Sequence, residues 1–203
     1  MGRPSNTEER RQQIVAGLLR VMSERGYERA SVAEIAKAAG LSPGLVHYHF
    51  QDKQEILLTL VEQLTARVRE RVAARLAQVP GEDARARVDA FLDAFLAMGP
   101  DADPASVASW VTISAEAIRQ PEVRALYEKA VRADLGHLEE LVSAVTGPHR
   151  ARAVAAGLFA AIQGYFVLAA SVPGLVPPGS AASTVKSMAA GLLETAAPPA
   201  DSQ

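Results

Sequence analysis

Residues 31–53 read SVAEIAKAAGLSPGLVHYHFQDK, and their spacing decides the fold. Val32, Ile35, Ala36 and Ala39 put small apolar side chains on one face of a short helix. Ser31 stands at its N-cap with Glu34 three residues on, the spacing of a capping box. Gly40 follows as a residue free to take positive φ, which ends the helix. Ser42 then caps a second helix, and Pro43 occupies its first turn, where the missing N–H costs nothing. Val46 and Phe50 point inward from this helix, leaving Leu45, His47, Tyr48 and His49 for other faces. Two helices joined by a three- or four-residue turn containing Gly form the helix-turn-helix signature, and this pattern points to DNA.

Working outward, the flanks extend the pattern. Residues 7–25 repeat apolar positions at Ile14, Leu18 and Val21/Met22 and close at Gly26. From Asp52 a long helix is expected to run to about Gln78, stopped by Pro80-Gly81. Val88, Phe91, Leu92, Phe95 and Leu96 follow the i, i+3, i+4, i+7, i+8 rule of an amphipathic helix, closed near Gly99-Pro100. Asp103-Pro104 starts another helix, with Val107, Trp110, Val111 and Ile118. Pro121 starts a long one through Leu126, Leu135, Leu138, Leu141 and Val145, ended by Gly147-Pro148. Residues 149–171, a Pro/Gly-rich loop at 173–179 and a helix near 181–196 complete the chain, with a frayed tail from Pro198. No alternating strand and no repeat interrupts the series. The fold class expected is all-α, with about nine helices.

Residues 8–60 as a set resemble the DNA-binding domain of the TetR family of bacterial transcriptional repressors. The likeness rests on the amphipathic first helix, Gly26-Tyr27, IAKAAGLSPG, HYHF, Asp52-Lys53 and Ile56-Leu57, and is most specific from Ala39 to Lys53. Two positions depart from the common pattern: Val32 stands where the family often has Thr, and His47 where it usually has Tyr. The segment Trp110–Glu122, WVTISAEAIRQPE, is more weakly similar to the body of a BetI-like subgroup, whose best-known member senses choline. The resemblance implies three DNA-binding helices on a six-helix effector-binding and dimerisation body. The expected division is residues 1–52 for the DNA-binding part, 53–197 for the body and 198–203 for a disordered tail.

Composition bounds these readings. The 203 residues are 49% hydrophobic and include no cysteine, which excludes disulfides and thiolate metal sites. No basic stretch precedes an apolar run at the N-terminus, so a cytoplasmic protein is expected. Residues 1–53 carry eight Lys/Arg against six Asp/Glu, while the remainder carries thirteen against seventeen. A weakly positive head on an acidic body suits steering toward DNA. There is no phosphate-binding glycine loop, no Gly-x-Ser-x-Gly elbow and no His-Glu-x-x-His, so no enzyme and no cofactor are expected. His47 and His49 lie two apart on a helix and do not face each other, so no metal site is expected. His137 and His149 sit singly on helices and read as surface residues.

Each DNA-facing residue has a role to fill. Ser42, Pro43 and Gly44 sit where backbone amides at a helix start can meet a phosphate. Gly44 allows close approach to a base edge, and Leu45 suits a thymine methyl. By the resemblance, Tyr48, His49 and Lys53 contact phosphate oxygens, while His47 meets phosphate or base. Ser31 can donate to phosphate as well as cap, and Arg3 can reach a minor groove as basic arms do.

In the body, Phe91, Phe95, Met98, Trp110, Ile113, Tyr127, Phe159, Tyr165 and Phe166 supply large side chains for a core or a cavity. The resemblance turns Phe91, Phe95, Met98, Trp110, Ile113, Glu116, Tyr127, Phe159 and Phe166 into candidates for lining an effector pocket. Glu116 beside Trp110 could hold a cation, or could face water or pair with Arg119; an apolar or amphipathic organic effector is the broader expectation. Residues 153–170, AVAAGLFAAIQGYFVLAA, meet the length of a membrane span. Their Ala and Gly content, the central Gln163 and the family likeness favour a dimer-interface helix over a membrane or monomer-core helix. Leu158, Ile162, Gln163, Tyr165, Met188 and Leu192 are the interface candidates.

The function expected is therefore a homodimeric DNA-binding regulator, a repressor released from operator DNA by a small organic effector. The alternative is a helical carrier or sensor of apolar molecules whose helix-turn-helix no longer works.

Overall fold

The computed structural model describes residues 6–81, 83–96 and 103–194. Among these, nine helices follow in order and no strand occurs: α1 (Asn6–Arg25), α2 (Val32–Ala39), α3 (Pro43–His49), α4 (Lys53–Leu76), α5 (Ala84–Leu96), α6 (Pro104–Arg119), α7 (Pro121–Thr146), α8 (Pro148–Ser171) and α9 (Ser180–Glu194). The expected all-α class is found. The expected tail lies outside the described residues.

The chain divides into two compact units, each discontinuous in sequence. The first takes the chain up to Ala66 together with Asp103–Lys129, and the second takes the rest. Long helices α4 and α7 each begin in the first unit and end in the second.

Caps and close approach build the first unit. Ser31 Oγ accepts from the Glu34 amide at 3.2 Å, and Gly40 closes α2 at φ 69°. Ser42 Oγ accepts from the Leu45 amide at 3.3 Å to open α3. The Ser31 box is only half formed, because the Glu34 carboxylate goes to Arg25 Nη1 at 3.0 Å instead. A second cap opens α4: Asp52 Oδ1 accepts from the Glu55 amide at 2.8 Å, and Glu55 Oε2 accepts from the Gln51 amide at 2.8 Å. Helices α1 and α2 meet at Gly17, where an added Cβ would come within 2.7 Å of the Ile35 carbonyl oxygen. Arg20 Nη1 also donates to the Ala38 carbonyl at 3.1 Å. Ile14, Leu18, Met22, Ile35, Val46, Phe50, Ile56 and Leu57 fill the core beneath. Each such burial contributes roughly 1.5–3 kcal/mol. Helix α6 belongs to this unit too: it packs on α1 and adds Ile113 and Ala117 to the same core.

The second unit closes around aromatics and branched aliphatics. Phe91, Leu92, Val88, Leu138, Val142, Leu158, Ile162 and Val185 are buried together. Helix α9 packs on α5 and α8, and a half-buried ion pair ties Lys186 to Asp93 at 3.0 Å. Helix α8 is long and apolar enough to cross a membrane by length and composition, but only 28% of its apolar window is buried inside the chain. Leu158, Phe159 and Ile162 face inward, while Ala153, Ala156, Gly157, Ala160, Gly164, Val167 and Leu168 are exposed. Exposed Met188 and Leu192 of α9 continue the apolar surface.

Candidate nucleic-acid interface

Helix α3 is short, and its anchoring is what makes its outer face usable. Val46 and the C-cap Phe50 are buried at 1% and 2% exposure. The opposite face carries Tyr48, 80% exposed, with its ring edge-on to His49 at 5.0 Å between centroids. Ser42, Pro43, Gly44 and His47 are exposed; Leu45 and His49 are half-buried. Nothing lies within 4 Å of a Cβ built on Gly44, so the helix entry is open.

A residue missed at the level of sequence secures the far end of α3. Arg11, on α1, donates through Nη1 to the His49 carbonyl oxygen, and its guanidinium lies 3.9 Å from the centroid of the Phe50 ring. Its Nη2 pairs with Glu55 Oε1 at 3.2 Å. A cation on the last carbonyls of a helix satisfies an orphan acceptor and complements the dipole. Thirty-eight residues separate Arg11 from His49, so no local pattern could announce the contact. The Asp52-x-x-Glu55 spacing was the readable half of this support.

Lys53 sits half-buried at the start of α4. Its Nζ donates to the Tyr27 carbonyl at 3.1 Å and lies 4.0 Å from the Tyr27 ring centroid. Tyr27 is itself buried at 6% exposure. Burial pushes its phenol up to about 12, with the charges of Glu116, Asp52 and Glu28 adding to the effect. Ser31 is exposed, its oxygen accepting from Glu34 while its own proton stays available. Arg3 lies outside the described residues.

The candidate effector residues fall into two groups, one in each unit. In the first unit, Trp110 and Tyr127 lie tilted to each other at 5.0 Å between centroids and pack against the core that holds Ile113. Glu116 neither faces water nor pairs with Arg119. It is buried, its Oε2 accepts from Gln120 Nε2 at 2.8 Å, and Arg119 instead meets Glu28 at 3.7 Å. In the second unit, Phe95 lies 5.0 Å from Phe91, 6.1 Å from Phe159 and 6.5 Å from Phe166. His137, expected at the surface, is half-buried with its ring edge-on to Phe91 at 5.6 Å. Met98 lies outside the described residues. Within the second unit, Asp134 is a buried acid on α7; desolvation raises its carboxyl to about 6, opposed by Arg69. A depression of about 560 Å³ lies between α7 and α8, lined by Gly136, Glu139, Glu140, Ser143, Ala144, Pro148 and Ala151, and holds none of the candidate aromatics.

Of the interface candidates, Leu158 and Ile162 point into the chain's own core, because their i, i+4 spacing matches the buried stripe of α8. Gln163 and Tyr165 are half-buried, and Met188 and Leu192 are exposed. Among the described residues no group of three His, Cys, Asp or Glu could hold a metal ion.

Comparison with known proteins joins these features. The pattern described as "Bacterial regulatory proteins, tetR family" matches residues 14–60, and "BetI-type transcriptional repressor, C-terminal" matches residues 84–194. The chain is 31% identical over 162 residues to the HTH-type transcriptional regulator BetI of Rhizobium meliloti, covering 78% of this chain and 76% of the relative. BetI of Escherichia coli O157:H7 is 29% identical over 166 residues, covering 79% and 82%. A transcriptional regulator from Rhodococcus sp. Rha1 superposes with a TM-score of 0.78 at 26% identity, over 92% of this chain and 97% of that one. A regulator from Saccharomonospora viridis solved in complex with choline shares the fold, with a TM-score of 0.75 at 23% identity over 92% and 96%. The chain belongs to the TetR family, with a C-terminal part of the BetI repressor type, and is a ligand-responsive DNA-binding transcriptional regulator.

Proposed function

We propose that the chain acts in the cytoplasm as a homodimeric repressor that a small organic effector releases from operator DNA. The observation that carries this reading is the exposed face of α3, with Tyr48 80% exposed on a helix locked from below by Val46, Phe50 and Arg11. Two copies would place their α3 helices in successive major grooves, roughly 34–36 Å apart. Tyr48, His49, Lys53 and Ser31 take the phosphates, with His47 at phosphate or base. Ser42, Pro43 and Gly44 let the helix entry approach, and Leu45 reads a thymine methyl. Arg3 is assigned to the minor groove on the grounds of its sequence alone.

The dimer surface is assigned to the outer face of α8 and α9, through Gln163, Tyr165, Met188 and Leu192 with the small residues Ala156, Ala160 and Gly164. An apolar helical face of this size left open supports a partner helix there. The effector is assigned to the aromatics of the body, and choline is the first compound to try, since the Saccharomonospora viridis regulator was solved with it. Any effector must prefer the DNA-free state, because equal affinity for both states shifts nothing.

The test begins with native mass spectrometry of the gently purified protein, followed by selection of a binding duplex from random DNA. Anisotropy on that duplex is expected to show a dimer whose affinity falls steeply with salt and falls again on adding choline. A monomer, or the absence of salt-dependent binding, would overturn the two-half-site mechanism. Binding untouched by choline would remove that effector and leave the repressor reading standing.

A further inference from the structure

Lys53 is the cation assigned above to a phosphate, and it does not hang free in solution. Its ammonium is held from two sides by one residue: Tyr27 accepts a hydrogen bond through its carbonyl at 3.1 Å and lays its ring face 4.0 Å away. A lysine ammonium has three donors, so the Tyr27 contacts do not exhaust it and donor capacity remains for an incoming phosphate. Lysine ordinarily loses much side-chain freedom when it is fixed to a ligand, and a cation–π contact removes part of that cost beforehand. Tyr27 can serve as a firm seat because it is buried in the core of the first unit and Gly26, at φ 78°, sets the turn that delivers it.

We infer that Tyr27 is a positioning residue for DNA binding, whose ring and carbonyl seat the Lys53 ammonium where its remaining N–H capacity meets a phosphate. Tyr27 itself touches no DNA. The contact persists in the complex, so the cation is fixed before binding. This rests on the reading of Lys53 as a phosphate ligand, and the two can fail separately.

The experiment is a double-mutant cycle on the selected operator duplex, with affinity followed as a function of salt. Lys53→Ala is expected to weaken binding about 5- to 10-fold and to reduce the salt slope by about 1 per protomer. Tyr27→Leu keeps the carbonyl but removes the ring; it is expected to weaken binding about 3- to 5-fold, a range matching an exposed cation–π contact. In the Lys53→Ala background Tyr27→Leu should cost nothing more. Tyr27→Phe keeps the ring and should bind like the unchanged protein. Equal losses from Tyr27→Leu with and without Lys53 would reduce Tyr27 to a structural role. An unaffected Lys53→Ala variant would overturn the phosphate assignment itself. Should Tyr27→Leu fail to fold, NMR of the unaltered protein decides. The Lys53 ε-methylene protons must be shifted upfield by the ring both free and on the duplex, and loss of that shift on DNA would overturn the inference.

Discussion

Helix α3 and the α8–α9 layer both leave residues unburied, but they spend exposure on opposite chemistry. On α3 the outer face holds a phenol, two imidazoles and a serine cap, each able to donate a hydrogen bond, above a seven-residue helix gripped by its neighbours. On α8 beyond Arg152 the exposed residues up to Leu168 are alanine, glycine, valine and leucine, with no side chain to donate or accept. Charged, hydrogen-bonding phosphate needs donors held still. A flat stripe of small residues suits only another apolar surface, because its gain comes from excluding water and from close packing. The support differs correspondingly: capping bonds, close backbone approach and a cationic clamp hold the first, while aromatic packing holds the second.

That contrast can be broken first in the body. Phe91→Ala removes the ring that contacts both Phe95 and His137 and is fully buried. Destabilisation of about 3–5 kcal/mol is expected in urea unfolding. A change below about 1 kcal/mol would show that the aromatic cluster is not what holds the second unit together.

Gly17→Ala tests the first unit by adding a single methyl. Its Cβ would press on the Ile35 carbonyl, backbone that cannot swing aside as a side chain would. The expected cost is about 1–3 kcal/mol, with operator binding reduced in proportion to the loss of folded head. Unchanged melting would mean that α1 and α2 can separate without penalty, and that close approach is not the principle there.

These two residues also mark what could and could not be read in the sequence. The caps at Ser31 and Ser42 and the stop at Gly40 were legible because they act within four residues. So was the inward pair Val46 and Phe50. Gly17 was not, since only the neighbouring helix makes its missing Cβ matter. Nor were the grip of Arg11 on His49 or the seat of Lys53 on Tyr27, each crossing between elements far apart in the chain. On α8 the run of apolar residues concealed its own division, because periodicity cannot separate inside from outside when both faces are apolar. Leu158 and Ile162 went to the core because they continue the buried positions Ala151, Val154 and Ala155 at helical spacing. The candidate effector aromatics divided between two units for a similar reason: composition gives their number, and only topology gives their company.

Asp134 sharpens the comparison through pH. Its folded carboxyl titrates near 6, above the ordinary 3.8, because burial disfavours the charge. The folded state is therefore favoured by this group below about pH 3.8, and that contribution is lost as pH rises through about 6. Asp134→Asn should stabilise the protein by about 1–2 kcal/mol at pH 7.5 and much less at pH 4.5, the gain being limited by the lost attraction to Arg69. Chemical unfolding at the two pH values would measure it. An equal gain at both would assign the effect to packing instead of charge.

The smallest expected effect on folding belongs to a residue proposed above to hold a phosphate. Tyr48 is 80% exposed, so Tyr48→Ala forfeits little burial and should shift melting within about 0.5 kcal/mol. Operator binding should nevertheless weaken about 5- to 10-fold, with the dimer intact by native mass spectrometry, since a lost phosphate hydrogen bond is felt only in the complex. Leu45→Ala should divide the two properties differently. Its side chain is half-buried and is proposed to reach a base edge, so Leu45→Ala should lower stability slightly and change which bases are preferred. A repeat selection from random duplexes reads that preference directly. If Tyr48→Ala altered the selected sequence and Leu45→Ala did not, the assignment of backbone positioning to one and base readout to the other would be reversed.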